Sequence, residues 1–291
     1  MKQISLIIVT YNSNRIIKKC IDNLLKYNDI GSELEIIIVD NSHHTVFIEL
    51  KQLLQANYDK RIRIVKNNKN GGYGQGNNLG VLHAVQSKLI CIMNPDIILT
   101  QPLFKKSLEN FNRGKHLGML GFKQYGGANI SFYMKPEYYM PLASKLLTKI
   151  FNKSNLFFSK YMYLSGAFLF IDSKKFKEIG CFDEGIFLYC EEPDISMRLQ
   201  NKGWKIKYDS SLSYIHEVGD RNEFSEFTVK TILNSRKYYF NKYDLSFKFH
   251  IRKNLVELQL IMLVSILFKN SKKLESIKKH ILLLKNKLKE E

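Results

Sequence analysis

Residues 180–204 read GCFDEGIFLYCEEPDISMRLQNKGW and set two adjacent carboxylates, Glu191 and Glu192, where a loop hands over to a helix. Pro193 suits the first helical turn, whose leading N–H groups have no partner inside the helix. Ile195 and Leu199 share a face, and Gly203 marks the stop. Asp194 precedes Arg198 by four residues, the favourable order for an ion pair. Adjacent like charges raise a carboxyl pKa, and a helix N-terminus lowers it. A carboxylate held between these effects, ionised yet basic, is suited to take a proton from a hydroxyl. Acidic residues in a first turn are also ordinary helix chemistry, so the pair needs company to become a site.

That company comes from the N-terminal third. Apolar runs at 4–9, 34–39 and 89–93 read as strands of a parallel sheet buried on both faces, with a further strand at 61–65. Helices are expected between them: one to about 27 capped by Ser13 or Asn14, one over 45–57 and one over 77–86. This alternation predicts a doubly wound α/β sheet with right-handed crossovers. Ligands of such sheets sit beyond the C-terminal ends of the strands. Those ends carry Thr10 and Asn12, Asp40, a glycine loop over 67–80, and Asp96 in Asn94-Pro95-Asp96. Each alone is turn chemistry; together they point to one crevice.

The glycine loop contains Gly72-Tyr73-Gly74-Gln75-Gly76, which is not GxGxxG and follows the third strand rather than the first. No GxxxxGK[ST] occurs, which excludes a P-loop. What remains is a backbone that must pass close to something, either a nucleotide or a packed strand.

Farther on, a helix over 102–112, a strand over 117–122, and an aromatic, lysine-rich stretch over 126–155 are expected, the last as a mobile or acceptor-facing insertion. The strand over 161–171 is interrupted by Ser165-Gly166, which suggests a bulge or the close approach of a ligand. Ser173 is expected to cap a short helix to 179. Strands at 204–208 and 214–216 and a helix over 221–243 follow. His216 at a strand end reads, by itself, as a structural histidine. Ser165, Gly166, Tyr189 and Asp194, around the carboxylate pair, are the candidates for contact with an acceptor.

The totals set limits. The 291 residues are 45% hydrophobic and carry a net charge of +18, which calls for an anionic partner. Cys20, Cys91, Cys181 and Cys190 form no CxxC pair, so they read as reduced thiols of a cytoplasmic protein. The apolar run near the N-terminus is too short for a signal segment, and no run is long enough to span a bilayer. The tail beyond 245 joins an apolar stretch over 255–268 to a lysine-rich stretch with leucines over 282–288. A basic amphipathic tail of this kind can lie on an anionic membrane, pair with another chain or pack on the domain; the first two are favoured here.

Seven segments, in order, carry a resemblance: IIVTYN (7–12), IIVDNS (37–42), NGGYGQGNNLG (70–80), MNPDI (93–97), LSGAFLFI (164–171), the stretch over 180–199, and His216 with Gly219. Over roughly 4–220 the chain resembles the family 2 inverting glycosyltransferases of the GT-A fold, above all their bacterial rhamnosyltransferase-like branch. The resemblance implies a GT-A domain over 1–244, with a nucleotide-binding half to 100 and an acceptor-binding half beyond it; it does not cover the tail over 245–291, which is expected as a basic amphipathic helical extension. It implies that Thr10, Asn12 and Asp40 hold the nucleoside, with Asp40 on the base. The loop with Asn70, Gly72, Gly76 and Asn77 would line the nucleotide pocket, as would Asn94. Asp96 resembles the last acid of the DxD motif, and His216 the histidine that approaches the same metal, Mn2+ or Mg2+. Glu192 matches the general base and Glu191 its neighbour.

The sequence departs from the pattern twice. Asn94 stands where an acid is usual, and Glu191-Glu192 replaces Glu-Asp, leaving open which of the two is the base. The resemblance implies transfer from a nucleoside-diphosphate sugar, such as dTDP-rhamnose or a UDP-hexose, to a lipid-linked glycan precursor at the inner face of the cell membrane. A homodimer is compatible with it. A catalytically weak sugar-nucleotide-binding module is the alternative. A nucleotidyltransferase lacks its basic glycine loop here, and a nucleic-acid binder lacks any recognition motif.

Overall fold

The continuous apolar runs become the middle of one sheet because each strand is covered on both faces. The computed structural model describes residues 2–58, 62–217, 225–267 and 271–290. Strands β1 (Lys2–Thr10), β2 (Leu34–Asp40), β3 (Ile62–Lys66) and β4 (Ser87–Met93) are parallel, in the order β3-β2-β1-β4. Helices α1 (Asn14–Lys26) and α2 (His44–Asn57) cover one face, and α3 (Tyr73–His83) the other. Leu6 and Ile8 face the first layer and Ile7 the second, the period-2 alternation of a strand. Thr10 pairs with Asp40 in the ladder, so the strand ends with polar residues are level.

Beyond β4 the sheet turns mixed. Its other strands are β5 (Ile97–Leu99), β6 (Leu117–Tyr125), β9 (Phe168–Asp172) and β10 (Lys205–His216), in the order β4-β9-β6-β10-β5. A small second sheet pairs β7 (Phe132–Met134) with β8 (Met162–Leu164). Helix α4 (Phe104–Arg113) lies with α1 and α2; α6 (Ser173–Glu178) and α7 (Glu191–Asn201) lie with α3. Helix α5 (Ala143–Lys153) flanks the small sheet.

Several expectations shift, each for a local reason. Helix α3 starts at Tyr73 instead of about 77, because Gly72 takes the N-cap at φ +95°. The strand expected over 161–171 is two strands in two sheets, parted at Ser165-Gly166. Helix α6 is capped by Asp172, whose carboxylate accepts from the N–H groups of Lys174 and Lys175, and not by Ser173. Ser13 occupies the N-cap of α1 without a side-chain bond to the helix. The segments 204–208 and 214–216 are one strand, β10, with a register shift between Asp209 and Ser213. The stretch 126–155 carries β7, two short 3-10 turns and α5. Gly219 and Arg221 lie outside the described residues.

The last helices, α8 (Glu226–Lys242), α9 (Phe247–Leu267) and α10 (Ser271–Lys289), build a third core. Leu233, Tyr239, Ile251, Leu258, Ile281 and Leu284 are buried there against Ile186 and Cys190 of the acidic loop. The tail therefore shares its core with the loop that carries the carboxylates. No described helix is long and apolar enough to cross a membrane.

Candidate active site

The acidic loop is held from three sides before it delivers Glu191 and Glu192 to the first turn of α7. Ile186 and Cys190 anchor it in the third core. The carbonyl of Phe187 accepts from the N–H of Tyr73 at 3.1 Å, and that of Leu188 from the Ser235 hydroxyl at 2.7 Å. A Cβ on Gly72 would lie 1.9 Å from the Phe187 carbonyl oxygen, so only glycine fits where the two loops meet. Tyr189 and Cys190 then take consecutive left-handed conformations, φ 69° and 78°. For side chains of this size such a backbone costs on the order of 1–3 kcal/mol each, and the packing around it must hold it in place.

The carboxyl groups face a cavity of about 1020 Å³. Glu191 is buried, and burial followed by the charge of Glu192 pushes its pKa well up, against the N–H groups of Glu191 and Tyr189. Burial also pushes Glu192 up, while its own N–H and that of Gly166 stabilise its charged form. A Cβ on Gly166 would come within 1.9 Å of Glu192 Oε1. The break between β8 and β9 is thus a cradle for Glu192, and Tyr73 fixes it by donating to the Gly166 carbonyl at 2.9 Å. Ser165 and Gly166 line the cavity, although the Ser165 hydroxyl is engaged by Gln124. Tyr189 is exposed at the rim.

Asp194 is no acceptor contact. It is fully buried, its carboxylate bound by Arg198, by Lys242 at 2.6 Å and by the Tyr243 hydroxyl at 2.8 Å. It clamps α8 to α7, and the ion pair with Arg198 forms as the spacing predicts.

Asn94 and His216 line the same cavity. His216 Nε2 stands 3.1 Å from Asp96 Oδ1, and both atoms are buried without a hydrogen-bond partner. Two orphaned donor atoms aimed at one another fit a divalent cation, which would satisfy both. Among the described residues no third His, Cys, Asp or Glu joins them.

The nucleotide side is built differently from the expectation. Thr10 and Asp40 are fully buried and satisfied by each other: Thr10 Oγ1 donates to Asp40 Oδ1 at 2.9 Å, as does the Ser42 hydroxyl at 2.7 Å. Gly76 is explained by packing, since a Cβ there would meet the Val9 side chain at 2.9 Å, and Gly72 by its contact with Phe187. Asn77 is buried and donates to the Tyr73 carbonyl. Asn12 is exposed at φ 53°, with its N–H on the Ser42 hydroxyl, and exposed Asn70 accepts from Asn41 and from the Gly72 N–H. The buried set forms the floor of the strand-end crevice, and Asn12, Asn70 and Asn94 are its accessible groups.

Tyr73, Tyr163 and Arg236 also line the cavity and were not anticipated. Arg236 sits on a helix that offered no motif, and Tyr73 was read only as part of a glycine loop. A second cleft of about 930 Å³, lined by Lys106, Arg113 and Lys207 among others, lies at the opposite ends of β6 and β10, away from the carboxylates.

The sequence profile described as "Glycosyl transferase family 2" matches residues 5–180, more than half of the chain. The chain belongs to glycosyl transferase family 2. The match ends before Glu191, so the carboxylate pair of this family 2 protein stands on its geometry. The low-salt glycan biosynthesis hexosyltransferase Agl10 of Haloferax volcanii is 24% identical over 221 residues, 74% of this chain and 67% of that one. Rhamnosyltransferase WbbL of Escherichia coli is 24% identical over 229 residues, 72% of this chain and 82% of that one. The mannosyltransferase PcManGT of Pyrobaculum calidifontis, solved with GDP-Man and Mn2+, superposes with a TM-score of 0.63 at 10% identity. That superposition covers 98% of this chain and 86% of PcManGT, and shows that this family 2 protein has the GT-A fold.

Proposed function

We propose that this family 2 glycosyltransferase moves a sugar with inversion from a nucleoside-diphosphate sugar, dTDP-rhamnose or a UDP-hexose, to a hydroxyl of a lipid-linked glycan precursor. The reading rests on the one cavity that joins Asn94 and His216 to Glu192. Glu192 takes the hydroxyl proton as the acceptor oxygen bonds to the anomeric carbon. The bond from that carbon to the diphosphate oxygen breaks, and its electron pair leaves with the nucleotide. Burial makes Glu192 more basic than an ordinary glutamate, and the Gly166 N–H stabilises its charged form. Glu191, which the Gly166 N–H does not reach, is the neighbour rather than the base in this reading.

Asp96 and His216 would hold Mn2+ or Mg2+, which when bound neutralises charge on the diphosphate. An imidazole donor tilts the choice towards Mn2+. The names of the two relatives, a hexosyltransferase of glycan biosynthesis and a rhamnosyltransferase, support a sugar nucleotide as donor. A lipid-linked acceptor requires the chain to reach the cytoplasmic leaflet. The tail supplies that contact in this reading through Leu260, Leu263, Val264 and Leu267, which are exposed on α9.

Calorimetry of UDP and dTDP with and without Mn2+ tests the donor side. Binding should need the metal, vanish in Asp96→Ala and weaken less in His216→Ala. Equal affinity in EDTA and in Mn2+ would contradict the metal assignment.

A further inference from the structure

The cavity also carries two cations that the proposed transfer from the donor does not use. Arg236 of α8 and Lys145 of α5 both line it, and neither forms an ion pair among the described residues. The acids of the cavity, Glu191 and Glu192, therefore neutralise neither. Arg236 is also held in place. Its guanidinium stacks 4.2 Å over the Tyr139 ring, and Nη1 lies 3.3 Å from His250 Nε2. The amide of Asn254 approaches the same His250 nitrogen at 3.3 Å. With two donors facing Nε2, that nitrogen accepts and the ring is neutral, in keeping with burial and the Arg236 charge holding the His250 pKa down at about 2. One edge of the guanidinium is thus fixed and its remaining N–H groups are left for another ligand.

A planar fork of this kind, fixed by stacking, recognises an anionic oxygen group by paired charge-assisted hydrogen bonds. In the proposed reading the diphosphate of the donor is met by Asp96 and His216. We propose that Arg236 and Lys145 form a second anion subsite, which binds a phosphate or diphosphate group of the acceptor and so orients its hydroxyl towards Glu192. This rests on the transferase reading and names the acceptor class: a glycan whose anchor or neighbouring residue is phosphorylated. Two cations lining one cavity match the multiple charge of a diphosphate better than a single carboxylate.

The test is calorimetry of the full chain in EDTA, which silences the metal site, with inorganic pyrophosphate, farnesyl diphosphate and glucuronate as probes. Pyrophosphate should bind, weaken with added salt, and lose about 10-fold or more in affinity in Arg236→Gln. Arg236→Lys should recover only part of the loss, since it restores charge without the fork. Lys145→Gln, at an exposed position where folding is not at risk, should weaken binding by a smaller factor. Asp96→Ala should leave this binding unchanged, and Mn2+-dependent binding of UDP or dTDP should be unchanged in the Arg236 and Lys145 variants. Tighter binding of farnesyl diphosphate than of pyrophosphate would assign the phosphate to a lipid anchor; equal binding would assign it to a free or glycan-borne phosphate. Equal pyrophosphate affinity in wild type and Lys145→Gln together with Arg236→Lys, loss only in Asp96→Ala, or binding of glucuronate but not pyrophosphate would overturn the proposal. Loss of Mn2+-dependent nucleotide binding in the wild type would instead contradict the transferase reading on which it rests.

Discussion

Glu191 and Glu192 are neighbours in sequence with different surroundings. Both are pushed up by burial and by each other's charge; the N–H groups of Glu191 and Tyr189 stabilise the charged form of Glu191, and those of Glu192 and Gly166 that of Glu192. A carboxyl whose folded pKa lies above its unfolded value makes the folded state bind the extra proton between the two. Stability is then fully present below the ordinary glutamate range and is lost as pH rises through the folded pKa. Glu191→Gln removes one such titration. Its melting temperature should exceed that of the wild type at about pH 8, by roughly 2–4 °C for each kcal/mol relieved, and the gap should close towards about pH 4. Thermal melts across this range check it; parallel curves for the two proteins would mean that Glu191 is not strained by its charge. At this scale the sequence was legible where chemistry is local. The loop-to-helix handover at the pair before Pro193 and the Asp194–Arg198 ion pair read correctly. The role of Asp194 did not, because Lys242 and Tyr243, which bind it, are 48 and 49 residues away.

Among the elements, strands and helices with strong periodicity were readable, and those set by glycine or by partners were not. The α3 glycines look like a ligand loop because a sequence shows only that backbone comes close to something. The structure shows that the something is Phe187, Phe182, Val9 and Ile7. The tail divides in a similar way. Leu255 and Leu258 of α9 and Ile281 and Leu284 of α10 point into the third core, which is the packing alternative to membrane contact. Val256, Leu260, Leu263, Val264 and Leu267 remain exposed on α9, a row that favours an apolar surface. A chain cut after Tyr243 would open that core, so point substitutions are the sound test. Leu263→Glu with Leu267→Glu should abolish flotation with anionic vesicles and leave the melting temperature unchanged. No flotation of the wild type, or equal flotation of the variant, would contradict membrane contact; a drop in solution mass in the variant would instead show that a second copy covers the row.

On the scale of the whole molecule, the core on the α3 face of the sheet and the core of the last helices meet at one loop, through Phe182 in the first and Ile186 and Cys190 in the second. The sheet presents its C-terminal strand ends, the small sheet and α5 wall the cavity, and the three last helices press Ile186 and Cys190 into place so that α7 starts at Glu191. The alternating strands and helices of the N-terminal third were legible from the runs, and the GT-A architecture only through the resemblance; the strand order was not. Nor was the third core, since it joins residues 186 and 190 to residues beyond 230 and no local pattern announces that contact. The net charge of +18 is in keeping with the anionic donor, acceptor and membrane surface proposed above. What unites these parts is the claim that Glu192 removes the acceptor proton. The direct measurement is release of nucleoside diphosphate from a sugar nucleotide by wild type, Glu192→Gln and Glu191→Gln, with a lipid-linked acceptor fraction and with donor affinity measured in parallel. Glu192→Gln should turn over about 10²-fold or more slowly at unchanged donor affinity. A wild-type rate in Glu192→Gln, with the loss appearing in Glu191→Gln instead, would contradict it.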